Sequence, residues 1–127
     1  MNLIEIFSIL LIHWIADFVL QTDEQAKGKS KHWRPLIEHT LSYSFIWLCL
    51  LPVYVLFIVG IENYAPWSGF IFVVVTFICH TVTDYFTSRL NSRLWLKGDS
   101  HNFFVSVGFD QILHYVQLFL TYQILLK

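Results

Sequence analysis

The sequence predicts an all-α integral membrane protein, a four-helix transmembrane bundle made of one domain. Of its 127 residues, 56% are apolar and 13% are charged, about half the ~25% that is usual in soluble domains. The mean hydropathy is +0.57, so a soluble core would leave much apolar surface uncovered. The net charge of -1 provides no basic footprint for nucleic acid, which is therefore not an expected partner.

Four apolar segments are long enough to cross a hydrocarbon core of ~30 Å, which takes about 20 residues of helix. They are residues 3–20, 36–59, 66–86 and 103–126. Pro52 falls inside the second segment, where it should kink the helix or mark its late turns. The first segment carries Asp17 and lacks a basic leading region and a small-residue cleavage site. It is therefore expected to be a mature span rather than a signal peptide.

The connections between the predicted spans differ in charge. The middle connection, 60–65, holds Glu62 and no Lys or Arg. Because cytoplasmic loops collect Lys and Arg, the first and third connections are expected in the cytoplasm and both termini outside it. The basic residues of these two connections are Lys27, Lys29, Lys31, Arg34, Arg89, Arg93 and Lys97.

Each predicted span contains one histidine, and three of the spans also contain an aspartate four residues away. This spacing places both side chains on one helix face, about one turn apart. The same order of features occurs twice in the chain: a His-x-x-x-Asp-aromatic segment, then a basic loop, then a span with a histidine. The repetition predicts two parallel-related helical hairpins with a pseudo-two-fold axis along the membrane normal. The pairs are His13 with Asp17, His80 with Asp84 and Asp110 with His114, and the second span supplies His39.

Carboxylates at membrane depth are costly without a partner, and no Lys or Arg lies inside the predicted spans. Each aspartate is therefore protonated, hydrogen bonded to a histidine or bound to a cation. The imidazoles and carboxylates form a mixed set that suits zinc, iron or manganese, and their number suits two metals with a bridging carboxylate. A proton or ion pathway, haem ligation and structural hydrogen bonding are the alternatives. We expect two zinc ions, with iron or manganese as alternatives, on His13, Asp17, His39, His80, Asp84, Asp110 and His114.

Several other polar residues have two open interpretations. Gln21 and Gln111 line the entrance of the site or only cap span ends. The basic connections hold an anionic headgroup or only set the orientation in the membrane. His32 lies among basic residues and is expected in solvent, while His101 lies near the start of the fourth span, after a capping Asp99 or Ser100.

Four motifs carry a resemblance that extends over nearly the whole chain: His13-x-x-x-Asp17-Phe18-x-Leu20-Gln21, Leu36-x-x-His39, His80-x-x-x-Asp84 and Asp110-Gln111-x-Leu113-His114. In these motifs the chain resembles the domain-of-unknown-function 3307 family of small bacterial and phage membrane proteins. More distantly, it is similar to membrane-bound metal-dependent hydrolases, which share intramembrane His and Asp motifs. The resemblance implies a multi-pass protein of the bacterial inner membrane and, by analogy alone, hydrolase chemistry.

The functional hypothesis is a membrane-embedded metal-dependent hydrolase at the cytoplasmic interface. Its substrate would be a phosphoester or carboxylic ester, in a lipid or a lipid-linked molecule. The metals would activate a water and stabilise the developing oxyanion, while Asp17, Asp84 or Asp110 handles the proton. The alternative is a membrane protein that transports protons or divalent metals, or that binds metal without catalysis. Membrane lipid is the expected partner, and the oligomeric state stays open.

Overall fold

The computed structural model describes residues 1–60 and 65–126, and within these ranges the chain is helical with no strand. The predicted all-α class is confirmed. The middle connection lies largely outside the described residues, as do Glu62 and Lys127. The helices are α1 (Leu3–Trp14), α2 (Asp23–Gly28), α3 (Trp33–Tyr54), α4 (Pro66–Leu96) and α5 (Ser100–Leu125), and π-helical turns extend α1 (Ile15–Val19) and α3 (Val55–Val59).

The first helix begins at a capping box and ends in a π-helical turn. The Asn2 side chain accepts the N–H of Glu5 at 2.9 Å, and the Glu5 carboxylate accepts the N–H of Asn2 at 2.9 Å. At the other end the backbone widens, and the N–H of Leu20 donates to the carbonyl of Ile15, at 3.0 Å. Such wide turns are frequent at functional sites, and this one contains Asp17.

A short helix, α2, lies in the first basic connection, where the sequence analysis expected only a loop. The Thr22 hydroxyl accepts the N–H of Gln25 at 3.2 Å, and the Gln25 side chain accepts the N–H of Thr22 at 3.0 Å. This Thr-x-x-Gln capping box starts the helix. At the end of α2, a Cβ on Gly28 would lie 2.7 Å from Cγ of Pro35. The glycine therefore lets α2 approach the start of α3 closely, which fixes the position of Lys29.

The third helix ends as Pro52 predicts. Proline has no N–H for the helix ladder, and the helix widens into its π-helical turn three residues later, at Val55. The N–H of Gly60 donates to the carbonyl of Val55 at 2.9 Å. Gly60 has a φ of 91°, a region that favours glycine, and this conformation ends the helix.

The fourth helix is longer than its predicted span, so the expectation of a loop over 87–102 is wrong for residues 87–96. Hydropathy detects only the apolar part of a helix, and residues 87–97 contain no Gly or Pro before Gly98, which has a φ of 72°. Along the extension, the Arg89 guanidinium donates to the carbonyl of Tyr85 at 2.7 Å. The helix therefore continues past the apolar run that predicted the span.

The third and fifth helices each begin three residues before the predicted span. α3 begins at Trp33, and Pro35 lies in its first turn, where a missing N–H has no cost. α5 begins at Ser100, and the Asp99 side chain accepts the N–H of Asn102 at 3.2 Å. The expected cap before the fourth span is therefore Asp99.

Among the described residues, three helical stretches are long and apolar enough to cross a membrane: Trp33–Ile58, Trp67–Leu96 and Ser100–Leu125. In an apolar 18-residue segment of each stretch, 33%, 33% and 17% of the residues are buried inside the protein. Most of their apolar side chains therefore face outward, as they do for Phe57 and Ile124. Lipid accommodates such a surface, while helices satisfy their backbone polar groups internally. The fold is that of a helical membrane protein.

The interior has an apolar end and a polar end. At the apolar end the fully buried rings of Trp47 and Phe72 meet edge to face, with centroids 5.4 Å apart. The polar end is formed by the last turns of α1, the first turns of α3 and the middle of α4 and α5. Because α1 leads into the first basic connection and α4 into the second, the polar end lies beside both of them.

Candidate metal centre

Four helices each bring one histidine to the polar end of the bundle. His13 of α1, His39 of α3, His80 of α4 and His114 of α5 are each 1% exposed or less. The rings of His80 and His114 stack with centroids 4.2 Å apart, and those of His39 and His80 lie 5.2 Å apart. The structure thus brings together residues that are far apart in the sequence.

Two of these histidines and two aspartates form the first donor group: Asp17, His39, His80 and Asp84. Nε2 of His39 lies 3.1 Å from Oδ1 of Asp17 and 3.3 Å from Oδ2 of Asp84. Nε2 of His80 lies 3.3 Å from the same Asp17 atom and 3.7 Å from the same Asp84 atom. The two Nε2 atoms are 3.2 Å apart. All four residues are buried.

The distances in the first donor group match those between the ligands of one tetrahedral ion. Zinc bonds of ~2.0–2.1 Å to nitrogen and oxygen place neighbouring tetrahedral ligands about 3.3 Å apart. The five donor–donor distances above range from 3.1 to 3.7 Å. Hydrogen bonds explain the histidine–aspartate distances singly, but a common ion explains all five together. The group can therefore hold one metal ion.

A second donor group shares Asp84 with the first and adds Asp110 and His114. Nε2 of His114 lies 3.3 Å from Oδ1 of Asp84 and 3.4 Å from Oδ1 of Asp110. Asp84 thus directs Oδ2 to the first group and Oδ1 to the second. This arrangement is that of a carboxylate able to bridge two cations.

His13 lies beside both donor groups but belongs to neither. Its Nδ1 is 2.7 Å from the hydroxyl of Tyr43, and its Nε2 is 2.9 Å from Oε1 of Gln111. The amide nitrogen of Gln111 faces the carboxylates of Asp17 and Asp110, so its oxygen is the atom that faces His13. Nε2 of His13 therefore donates, and Nδ1 accepts from Tyr43. Both ring nitrogens have protein partners in this structure, and the metal-ligand role that the sequence predicts for His13 stays a prediction.

Lys29 is a partner of the aspartates that the sequence did not predict. Its ammonium donates to Oδ2 of Asp84 at 2.8 Å, reaching into the cluster from the end of α2. Burial lowers the pKa of Lys29, but the carboxylates of Asp84 and Asp17 outweigh that effect, so the pKa lies above its ordinary value. The cluster therefore contains a permanent positive charge. The capping box that starts α2 was the only sequence signal for this placement.

Neutral polar groups orient the carboxylates and one imidazole. The Thr87 hydroxyl donates to Oδ1 of Asp110 at 2.6 Å, and the Gln21 amide donates to a ring nitrogen of His39 at 3.0 Å. Gln111 donates to Asp110 at 3.1 Å. Buried carboxylates need such partners. Of the two interpretations of Gln21 and Gln111, the structure supports a place at the site.

A cavity of about 750 Å³ opens beside the cluster. It lies between the first basic connection, the last turns of α4 and the first turns of α5. Asp17, Asp110 and Gln111 belong both to its wall and to the cluster, so a molecule in the cavity would meet the carboxylates directly. Its polar wall includes Lys27, Lys29 and Lys31, and its apolar wall includes Phe18, Trp95, Leu96, Phe103, Phe104 and Val107.

The remaining histidines and the cysteines lie outside both donor groups. His32 is exposed at the cap position of α3, and His101 is exposed in the first turn of α5. Cys49 is exposed on the outer surface of α3, and Cys79 is partly buried. None of them reaches the donor groups formed by the described residues.

The fold and the cluster define a class: helical membrane proteins with buried His and Asp groups that can hold a metal ion. The family model described as "protein of unknown function (DUF3307)" matches residues 6–127. The chain belongs to this family, which confirms the resemblance seen in its motifs. No curated protein and no solved structure matches the chain. The more distant similarity to metal-dependent hydrolases stays a prediction.

Proposed function

We propose that the protein is a membrane-embedded metal-dependent hydrolase that cleaves a phosphoester or ester at the cytoplasmic interface. The observation that carries the proposal is the near-tetrahedral spacing of the first donor group, 3.1 to 3.7 Å, beneath an open cavity. A purely structural histidine–aspartate network would not need three helices to direct four single atoms at one point. It would also not need a cavity that reaches the carboxylates.

The proposed centre contains two ions, with zinc as the first expectation and iron or manganese as alternatives. The first ion would be held by Asp17, His39, His80 and Asp84, which is a mixed nitrogen and oxygen set that zinc accepts. The second would be held by Asp84, Asp110 and His114. The second group has three protein ligands, which leaves a position for water or substrate, as in catalytic sites.

The residues around the centre have distinct proposed roles. Bound metal would supply an activated water and electrostatic stabilisation of the developing negative charge. Asp110 lies in the cavity wall and accepts hydrogen bonds from Thr87 and Gln111, so it is placed to accept a proton. Asp84 bridges the two groups, and Asp17 completes the first. His13 positions Gln111 and through it the two carboxylates that Gln111 contacts.

The proposal includes four spans, with α1 and its π-helical turn as the first, in a single transmembrane domain of the bacterial inner membrane. Two contacts support two related hairpins. In the first half, Asp17 meets His39 of the following span at 3.1 Å, and in the second half, Asp84 meets His114 at 3.3 Å. With the basic connections in the cytoplasm, the centre lies near the cytoplasmic interface.

The test combines metal loading with hydrolysis. Protein purified in detergent is freed of metal with a chelator, reloaded with zinc, iron or manganese, and assayed on soluble aryl phosphomonoesters, phosphodiesters and carboxylic esters. We expect hydrolysis that the chelator abolishes and one of the metals restores. Asp110→Asn should lower kcat at least tenfold while the first ion is retained. Metal binding without turnover of any substrate class would contradict the hydrolase and leave a metal-binding or metal-transporting protein.

A further inference from the structure

The cavity beside the cluster has a polar and an apolar side. Its volume of about 750 Å³ lies within the range of small-molecule sites, ~300–1,000 Å³. The polar side is formed by the first basic connection and the inner face of α4. The apolar side is formed by α4 and α5 where they approach each other, near the interface end of the bundle. Such a cavity fits a molecule with one charged and one apolar part.

The polar side carries positive charge suited to a phosphate. Lys27, Lys29 and Lys31 line it, and lysine ammonium groups bind phosphate as compact point charges. Lys27 and Lys29 also pair with carboxylates, at 2.8 Å each, whereas Lys31 forms no ion pair with a described residue. Lys31 is therefore the lysine whose charge is most available to a ligand.

Two buried polar atoms on α4 belong to residues that line the same cavity, and neither atom has a hydrogen-bond partner in the described part of the chain. They are Oγ of Ser88, whose residue is 9% exposed, and Oδ1 of Asn91. An unsatisfied buried polar atom costs free energy, about 1–3 kcal/mol by mutational estimates. The Ser88 hydroxyl can donate to an ester or phosphate oxygen of a ligand, whereas Oδ1 of Asn91 only accepts and needs a donor such as a phosphate hydroxyl.

The apolar side consists largely of aromatic and aliphatic side chains that the protein leaves exposed. Trp95, Leu96 and Phe104 are 62%, 81% and 67% exposed, and all three line the cavity. An inorganic anion would make no use of this wall. An acyl chain would bury it, and lipid is the source of acyl chains at this depth.

From these observations we propose that the cavity binds a glycerolipid that ends in a phosphate monoester, as phosphatidic acid does. Its headgroup lies between the lysines and the carboxylates, and its chain lies along Trp95, Phe103 and Phe104. The inference rests on the proposed function, since it names the substrate class of that site. The carboxylates of Asp17 and Asp110 in the wall are donors of the proposed centre, so bound metal would offset their charge.

The test measures binding and not turnover. Metal-loaded protein in a neutral detergent is titrated in a calorimeter with dihexanoyl phosphatidic acid, with dihexanoyl phosphatidylcholine, and with inorganic phosphate. We expect phosphatidic acid to bind at least tenfold more tightly than either of the other two. Lys31→Gln should weaken its binding about fivefold, the effect of about one lysine near a lipid phosphate.

Matched variants separate the cavity from the surface. Lys97→Gln removes one exposed positive charge that does not line the cavity and should change the affinity less than twofold. Phe104→Ala should weaken the binding of phosphatidic acid but not that of inorganic phosphate. Phe109 is exposed on α5 outside the cavity, so Phe109→Ala should change neither affinity. All four positions are exposed, so the fold should tolerate these changes.

Three results would overturn the inference: equal affinity for inorganic phosphate, equal affinity for phosphatidylcholine, or equal losses in Lys31→Gln and Lys97→Gln. The first would indicate a free-phosphate site and the third a general surface charge effect. Lipid binding without hydrolysis of any substrate would contradict only the proposed function. Hydrolysis of soluble phosphoesters without lipid binding would contradict only this inference.

Discussion

The Nζ atom of Lys29 lies 2.8 Å from Oδ2 of Asp84, the carboxylate that both donor groups share. Asp84 is 1% exposed and the lysine side chain 16%. A carboxylate buried this deeply needs a countercharge. The ammonium provides one when no metal is bound, although no basic residue lies in the predicted spans. Metal and lysine therefore stabilise the same carboxylate.

Replacing Lys29 should destabilise the metal-free protein more than the metal-loaded protein. Lys29→Met keeps most of the aliphatic stem but leaves Asp84 without its ammonium partner. Breaking a buried ion pair in this way lowers the free energy of unfolding by about 3–5 kcal/mol. Bound metal would compensate for much of this loss. The measurement is the Tm in detergent of wild type and variant, each with chelator and with added zinc.

Lys27→Met is the control for that experiment, because Lys27 pairs with Asp23 on the surface, where both side chains are exposed. Surface ion pairs contribute little, so its Tm should stay near that of wild type in both conditions. A similar loss for Lys29→Met with and without zinc would show that the lysine and the metal act independently.

The sequence predicts the class of fold and much of the cluster because both depend on local patterns. Long apolar runs predict membrane helices, and the four-residue spacing of His80 and Asp84 predicts two side chains on one face. Six of the seven expected ligands fall in the two donor groups. His13 has the same spacing from Asp17, yet both its ring nitrogens are taken by Tyr43 and Gln111. Spacing cannot reveal such competition from other helices.

The features that the sequence did not predict depend on tertiary structure or on a helix that continues past its apolar run. The extension of α4 over 87–96 mixes apolar with polar and charged residues, so hydropathy does not separate it from a loop. Lys29 lies in a connection and meets Asp84 only because α2 forms and Gly28 packs closely on Pro35. The order of basic and apolar residues predicts the orientation of the chain in the membrane, but it does not predict which lysine reaches the histidine–aspartate cluster.

The two basic connections should face the cytoplasm. In a chain with Cys49 and Cys79 replaced by Ala, a cysteine at Ala65, exposed at the start of α4, should react with an impermeant maleimide added to intact cells. A cysteine at Lys97, exposed after α4, should react only after the cells are lysed. The opposite labelling pattern would reverse the orientation, and labelling of both positions in intact cells would contradict a single crossing of the membrane by α4.

His13 should act through hydrogen bonds and not as a ligand. Tyr43→Phe removes the hydroxyl that meets Nδ1 of His13 but keeps the ring that stacks on His80 with centroids 3.9 Å apart. We expect a loss of stability of about 0.5–1.5 kcal/mol with metal content unchanged. His13→Ala should likewise retain most of its metal, while His80→Ala should lose the first ion. If His13→Ala and His80→Ala lost metal equally in elemental analysis, the donor role expected from the sequence would be correct.

Metal stoichiometry should depend on Asp84 more than on any other single residue. Wild type loaded with zinc should hold about two ions per chain, since two donor groups share one carboxylate. His114→Ala removes a donor of the second group alone and should leave about one ion. Asp84→Asn weakens both groups at once and should leave less than one ion per chain, whereas His32→Ala, at an exposed position outside the cluster, should match wild type.

Elemental analysis after gel filtration measures each ratio of metal to protein, and the Tm shows whether each variant is folded. A wild-type protein that holds no zinc, iron or manganese after loading would exclude the centre, and equal ratios in Asp84→Asn and His114→Ala would exclude the shared carboxylate.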